Sequence, residues 1–338
     1  MDAEELHRRR AQRARDRRRR RLRRRVTAGA ALAVALIAVA VALGAGIGSG
    51  SSVAGPAASV TTTRTTTTRH RGSGRRPTTA RRDRGGSTAA ALGPATGTPG
   101  TAAVPVLMYH VIAPPPAGAP FPGLYVQPQE FAAQMQALKT AGWHPVTLDQ
   151  LRAYWTKGAR LPAGKPIVIT FDNGYHSQYA QALPVLRKLG WVADENIQLS
   201  GLPPSQGGLT TGEVRGLVDA GWELDTQGIS HADLITLDAS ELHYQIVTAR
   251  QRLQHEYQVP VNWFCYPSGH YDATVIAAVR AAGFVGSTTV IPGWAAASSD
   301  LYRLPRLRVL GGTSPSALLS QIASNQSAAA PPGSYGGA

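Results

Sequence analysis

The run Ile167-Val-Ile-Thr-Phe-Asp172-Asn173-Gly174 constrains the fold more than any other stretch of this chain. It is a continuous apolar segment that stops abruptly on a carboxylate, an amide and a glycine. Such a run suits a strand buried on both faces, as in a parallel sheet covered by helices. Polar residues placed at its end then belong to a site rather than to the core. The pattern recurs along the chain. Segments 104–109, 167–171, 197–199, 222–224, 261–266, 284–288 and 307–310 predict strands, and 128–141, 177–189, 211–220, 239–257, 273–282 and 314–322 predict helices. In 128–141, Phe131, Met135 and Leu138 repeat at helical spacing, and Gly142, Gly190, Gly221 and Gly283 mark helix ends. This alternation predicts an α/β protein with a parallel sheet closed as a (β/α) barrel, whose site lies where strands end and loops begin.

Charge is placed very unevenly. Residues 1–103 carry 21 Arg, no Lys and 5 acids, a net of +16, whereas residues 104–338 carry 14 Lys or Arg against 15 acids, a net of −1. The folded part is therefore not basic, which argues against a nucleic-acid partner. Residues 1–25 hold 13 arginines, and residues 26–47 carry no charge. An apolar run of about 20 residues can cross a bilayer, and the arginine block would stay on the cytoplasmic side. The expectation is a single-pass cell-membrane anchor at 26–47 behind a cytoplasmic tail, with the remainder outside the cell; a cleaved signal peptide is the alternative. Residues 48–103, rich in Ser, Thr, Gly, Pro, Ala and Arg, read as a disordered linker. A folded domain over 104–325 and a flexible tail over 326–338 complete the layout. The single cysteine, Cys265, excludes an internal disulfide and a Cys-based zinc site.

Polar residues gather at the ends of five predicted strands. The first leads into Tyr109-His110, the second into Asp172-Asn173-Gly174 with Tyr175 and His176 beyond. A third ends in Asp225-Thr-Gln227 and runs on to His231. A fourth ends in Tyr266-Pro267-Ser268-Gly269-His270. The fifth reaches Thr288-Thr289, followed by Pro292-Gly293-Trp294. Each residue has an ordinary reading: Asp172 as a helix N-cap, His110 as a hydrogen-bonded core histidine, His231 as a cap. Five strands loaded at one end exceed what core packing explains.

Together these segments resemble the polysaccharide deacetylase family, the NodB-type carbohydrate esterases, over essentially all of residues 104–310. Val104-Pro-Val-Leu-Met-Tyr-His110 is similar to the family's opening strand, and Thr170-Phe-Asp-Asn-Gly174 to its first motif, usually Thr-Phe-Asp-Asp-Gly. Residues Trp222 to Leu234 resemble the second motif, His-Ser/Thr-x-x-x-His, and Phe264-Cys-Tyr-Pro-Ser-Gly-His-Tyr-Asp272 the third. Thr288 to Gly293 and Tyr302-Arg-Leu-Pro-Arg-Leu-Arg308 resemble its C-terminal part. The resemblance implies a distorted parallel barrel of about seven strands in which a first aspartate is the catalytic base, while a second aspartate and two histidines bind a divalent metal.

Carried across, Asp172 is the base and His231 a metal ligand. Asn173 and Gln227 stand where a carboxylate and an imidazole would bind. The late Leu-x-His acid has no counterpart, because no histidine follows His270. A neutral amide is a poor donor for zinc or a similar metal, so the usual site is weakened. Asp225 shares a strand face with Gln227 by alternation and could restore the carboxylate, with His110 or His176 supplying imidazole. The candidate catalytic residues are Asp172 and His270, and the candidate metal positions are His231, Asn173, Gln227 and Asp225. Candidate substrate contacts are His110, Tyr175, His176, Tyr266, Pro267 and Trp294. Together with the expected anchor at 26–47, the resemblance implies a membrane-anchored extracellular hydrolase that deacetylates a cell-envelope polysaccharide, with no obligate protein partner evident. The alternative is a non-catalytic glycan-binding or scaffolding relative that has lost its metal site.

Overall fold

Strand β3 (Lys165–Asn173) is buried from Ile167 to its end and organises the sheet. On one side it pairs with β1 (Val104–Tyr109), on the other with β4 (Asp194–Ile197), and the ladder continues through β5 (Glu223–Thr226) and β6 (Trp263–Cys265) to β7 (Gly286–Thr288), all parallel. The computed structural model describes residues 95–200, 202 and 207–337. A short β2 (Trp143–Pro145) joins the start of β3. β8 (Trp294–Ala295) runs antiparallel to the start of β1, and β9 (Leu307–Arg308) parallel to its middle. The sheet curls into a half-barrel, and residues 304–308 span its open side. Leu304 bridges Thr288 at the end of β7, and Leu307 and Arg308 pair with Leu107 and Met108 of β1.

Helices α1 (Pro128–Thr140), α2 (Leu148–Lys157), α3 (Leu183–Leu189), α4 (Thr211–Asp219), α5 (Ala239–His243), α6 (Ala249–Tyr257), α7 (Ala273–Ala281) and α8 (Pro315–Ser324) accompany the strands. The predicted helices at 177–189 and 239–257 each contain a π-helical turn, Gln178–Ala182 and Tyr244–Thr248. Alternation along β3 decides what faces where. Ile167, Ile169 and Phe171 join the core cluster under α1, where Phe171 lies 5.9 Å from Phe131 and 5.0 Å from Trp222 between ring centres. Thr170 and Asp172 take the opposite face, into the half-barrel.

The structure corrects several expectations. β4 begins at Asp194, not at 197, because its buried Asp-Glu-Asn carries no apolar signal. Helix α2 and strands β2 and β8 were not foreseen, and β8 breaks the all-parallel expectation. The domain starts before 104: Gly100 donates to the Tyr154 carbonyl at 2.9 Å, and Trp155 Nε1 donates to the Ala102 carbonyl at 2.9 Å. The tail expected to be flexible is tied down, since Tyr335 and Tyr271 exchange backbone hydrogen bonds of 2.8 Å and Tyr271 Oη donates to the Pro332 carbonyl. Among the described residues no helix is long and apolar enough to cross a membrane. The expected span at 26–47, the arginine block and most of the linker lie outside the described residues.

Candidate active site

Asp172 sits on the inward face near the end of β3, 1 % exposed, against an equally buried Arg306. The guanidinium forms a bidentate pair with it, Nη1 to Oδ1 at 2.7 Å and Nη2 to Oδ2 at 2.8 Å. Its remaining hydrogen bonds go to Thr170 Oγ1 (2.9 Å), the Thr289 carbonyl (2.8 Å) and Cys265 Sγ (3.1 Å). Asn196 Nδ2 donates to Asp172 Oδ1 at 2.9 Å. Burial alone would push the carboxyl up, but Arg306, His110 and Asn196 together hold it down to about 2. Burial dominates at His110 and lowers it to about 4, so the imidazole is neutral at pH 7. Its Nε2 lies 3.9 Å from Asp172 Oδ2. Burial likewise raises the Cys265 thiol to about 12, leaving it un-ionised. Arg306, Asn196 and Cys265 were not among the expected site residues. The available signal was an arginine embedded in the apolar stretch Leu304-Pro-Arg-Leu-Arg-Val309.

The backbone is strained around this point. Among the described non-glycine residues positive φ occurs at Asn173 (80°), His231 (52°), Gln258 (56°) and Ser268 (55°), and three of these four line one cavity. Asn and His tolerate the left-handed region better than most residues, and such strain gathers where side chains must be aimed. Gly174 follows at φ 85°, where a Cβ would come within 2.7 Å of Ile197.

The metal positions form a closed amide network. The Asn173 backbone N–H donates to Gln227 Oε1 at 3.1 Å, which turns the Gln227 NH₂ toward Cys265 Sγ (3.2 Å) and Asp172 Oδ2 (3.5 Å). Asn173 Nδ2 donates to Gln198 Oε1 at 2.7 Å, and Gln198 Nε2 to the Ser200 carbonyl. A cation beside Asp172 would thus face the N–H donors of Gln227 and Arg306, with His231 and His110 as the imidazoles of the same cavity and no carboxylate besides Asp172. The residues present do not fit the family's zinc-type ion. Asp225 does not repair the site. Its Oδ1 accepts the Trp263 backbone N–H at 2.8 Å, and it groups with Asp194 and Glu223. It shares a face with Gln227 as expected but lies two residues down the strand, about 6.6 Å lower.

The cavity, about 550 Å³, brings together His110, Asp172, Asn173, Tyr175, Gln227, His231 and Tyr266 from the expected set. Tyr266 Oη donates to the Tyr302 carbonyl, so its ring rather than its hydroxyl serves the wall. Pro267 is buried and opens the turn that carries Ser268 and Gly269 to the cavity. Besides Asp225, three expected residues lie elsewhere. His176 is half-exposed and pairs with Glu213 at 2.6 Å. His270 binds Asp233 at 3.0 Å and packs beside Tyr335, outside the cavity lining. Trp294 donates its Nε1–H to the Ile322 carbonyl and packs edge-on against Trp143. At the rim, Phe121 is 69 % exposed, an apolar ring open to a ligand that local sequence patterning did not flag.

A parallel half-barrel with a buried carboxylate facing a polar cavity at its strand ends is a (β/α)-type site. Residues 160–287 match the family model described as polysaccharide deacetylase. YxkH of Bacillus subtilis (strain 168), named as a polysaccharide deacetylase, is 29 % identical over 224 residues, covering 66 % of this chain and 77 % of the relative. The Streptococcus pyogenes deacetylase PplD, solved in complex with acetate, superposes with a TM-score of 0.60 at 26 % identity, covering 66 % of this chain and 99 % of the other. Over 60 residues the chain is 38 % identical to the poly-β-1,6-N-acetyl-D-glucosamine N-deacetylase of Escherichia coli (strain K12), which is 18 % of this chain and 9 % of that protein. Residues 160–287 are thus a polysaccharide deacetylase domain by the family model, and the relatives and solved structures that the chain resembles are named as deacetylases.

Proposed function

We propose that this protein removes acetyl groups from an N-acetylated cell-envelope polysaccharide, held at the membrane by residues 26–47, with Asp172 as the base. The observation that carries this reading is the ionised Asp172 at the wall of a cavity beside two histidines whose basicity burial lowers, His110 and His231. Water attacks the acetyl carbonyl and passes a proton to Asp172. The C–N bond breaks as that proton moves on to the departing amine, giving acetate and a free amino sugar. A carboxylate held near 2 is a weak base, but once protonated it gives the proton up readily. Arg306 fixes its orientation and keeps it ionised across the neutral range. Tyr175, Tyr266 and the rim ring of Phe121 supply apolar faces for sugar rings.

The amide network favours a second reading, in which the cavity holds the glycan without turning it over. No step above runs through a metal, and the developing oxyanion has no donor as strong as one. Acetate release from N-acetylglucosamine oligomers by the full-length chain, with and without chelator, separates the two. Deacetylation predicts release that survives chelation and falls by roughly 10²–10⁴-fold in Asp172→Asn. Retention of the oligomers on an affinity gel with no acetate released supports the binding reading. Neither release nor retention sinks both.

A further inference from the structure

Below the Asp172 cavity the half-barrel encloses a second polar group. Parallel register sets Thr170 beside Asp194 beside Glu223, and Asp172 beside Asn196 beside Asp225. Asp194 and Asp225 are wholly buried. One oxygen from each of Asp194, Glu223 and Asp225 lies within 4.8 Å of those of the other two.

Each of the three carboxylates is held the same way. Asp194 Oδ1 accepts the Leu148 N–H at 2.8 Å, Glu223 Oε2 the Asp149 N–H at 3.0 Å, and Asp225 Oδ1 the Trp263 N–H at 2.8 Å. The first two donors are the opening N–H groups of α2, whose Thr147 cap fixes that turn. Each acid then leaves its other oxygen, Asp194 Oδ2, Glu223 Oε1 and Asp225 Oδ2, buried and without a cationic or amide donor; Asp225 and Glu223 lie within hydrogen-bond reach of each other, and Thr147 reaches Glu223. Asn196 Oδ1, in register beside Asp225, is unpartnered. The neighbouring Asp149 is satisfied by Asn262 Nδ2 at 2.6 Å and Trp263 Nε1 at 3.1 Å. Among the described residues no Lys or Arg pairs with any of the three acids, and Arg306 is committed to Asp172.

Buried carboxylate oxygens left bare are costly unless something positive meets them. We infer that Asp194, Glu223 and Asp225 form a binding site for a hard divalent cation, Mg²⁺, Mn²⁺ or Ca²⁺, which ties β4, β5 and the start of α2 together. All-oxygen donors of this kind select such ions over zinc, and bonds of about 2.0–2.6 Å fit the spacing. The backbone N–H bonds play the orienting part that outer contacts play at metal sites. Burial pushes all three carboxyls well above the usual range, as expected of acids with no counter-charge at hand. The site is distinct from Asp172, to which Asn196 joins it, and uses none of the positions at which the family's motifs place ligands.

The test uses the full-length chain stripped with EDTA. Mn²⁺ titration followed by the loss of its free EPR signal should show one tightly held ion, and added Mg²⁺, Mn²⁺ or Ca²⁺ should raise the Tm. Asp225→Asn keeps an acceptor for the Trp263 N–H and removes one charge. It should weaken Mn²⁺ binding by more than the roughly 10–100-fold that losing an outer contact costs, while raising the Tm of the stripped protein above wild type. Glu223→Gln should do the same if Asp225→Asn fails to fold. His231→Ala should bind Mn²⁺ as wild type does. No Mn²⁺ uptake at millimolar concentration, with the stripped protein simply gaining stability on acidification, would show that protons occupy the group and overturn the proposal. Uptake lost in His231→Ala but kept in Asp225→Asn would overturn it too, by placing the ion at the upper cavity.

Discussion

Asp172 and Asp225 stand in one row across the same sheet, separated by Asn196, and the fold treats them in opposite ways. Asp172 meets a guanidinium on both oxygens and an amide on each, and is driven acidic. Asp225 meets a backbone N–H on one oxygen and further acids nearby, and is driven the other way. Burial is the first influence on both. What differs is whether a cation lies within reach, so burial alone does not tell whether an interior carboxylate is charged.

Removing the cation from the first region should show the largest effect. Arg306→Ala leaves Asp172 buried and unpaired, and urea unfolding should report a loss of about 3–5 kcal/mol. The sign is opposite to that expected for Asp225→Asn in the stripped protein. A small loss for Arg306→Ala would mean that Asp172 is not the charged member of the pair, and the contrast would fail.

A second effect comes from His110, whose folded value of about 4 lies below its unfolded one near 6.5. The unfolded chain takes up the proton first, so this contribution is present above about pH 6.5 and fades as pH falls toward 4. The contribution is on the order of 3 kcal/mol. In His110→Asn the stability difference between pH 7 and pH 4 should shrink. An unchanged slope would remove His110 from the group around Asp172. The smallest effect is expected at His176, whose exposed pair with Glu213 is worth roughly 0–1 kcal/mol. His176→Ala should leave acetate release and Tm near wild type, and a large loss of activity would return that residue to the site.

Much of the frame was legible in the residues. The apolar run into Asp172 marked β3 because a strand buried on both faces needs no alternation. The Tyr109-His110, Gln227 and His231, and Tyr266 segments pointed to the cavity because polar groups at strand ends have no place in the core. β4 was misplaced because its inward and outward sides are polar yet buried, so hydropathy reads Asp194-Glu-Asn as a loop. Helix α2 was readable in principle, since Thr147 and Gln150 form a capping box and Leu148, Leu151 and Trp155 bury one face. Its ten residues offered only a short pattern. His270 and Trp294 were drawn in by their nearness in sequence to strand ends. The turn after Pro267 and the antiparallel β8 carry them elsewhere.

The chain by itself determined the mainly parallel architecture and the strand ends that carry polar groups, because these follow from local pattern and residue chemistry; that Asn173 and Gln227 stand at metal-ligand positions is what the motif resemblance implies. Only the tertiary structure decided which donor meets which carboxylate. Arg306 lies 134 positions from Asp172 along the chain, and Leu148 lies 46 from Asp194. Such pairings depend on how far the sheet curls and where the closing segment crosses it, which no local run of residues encodes.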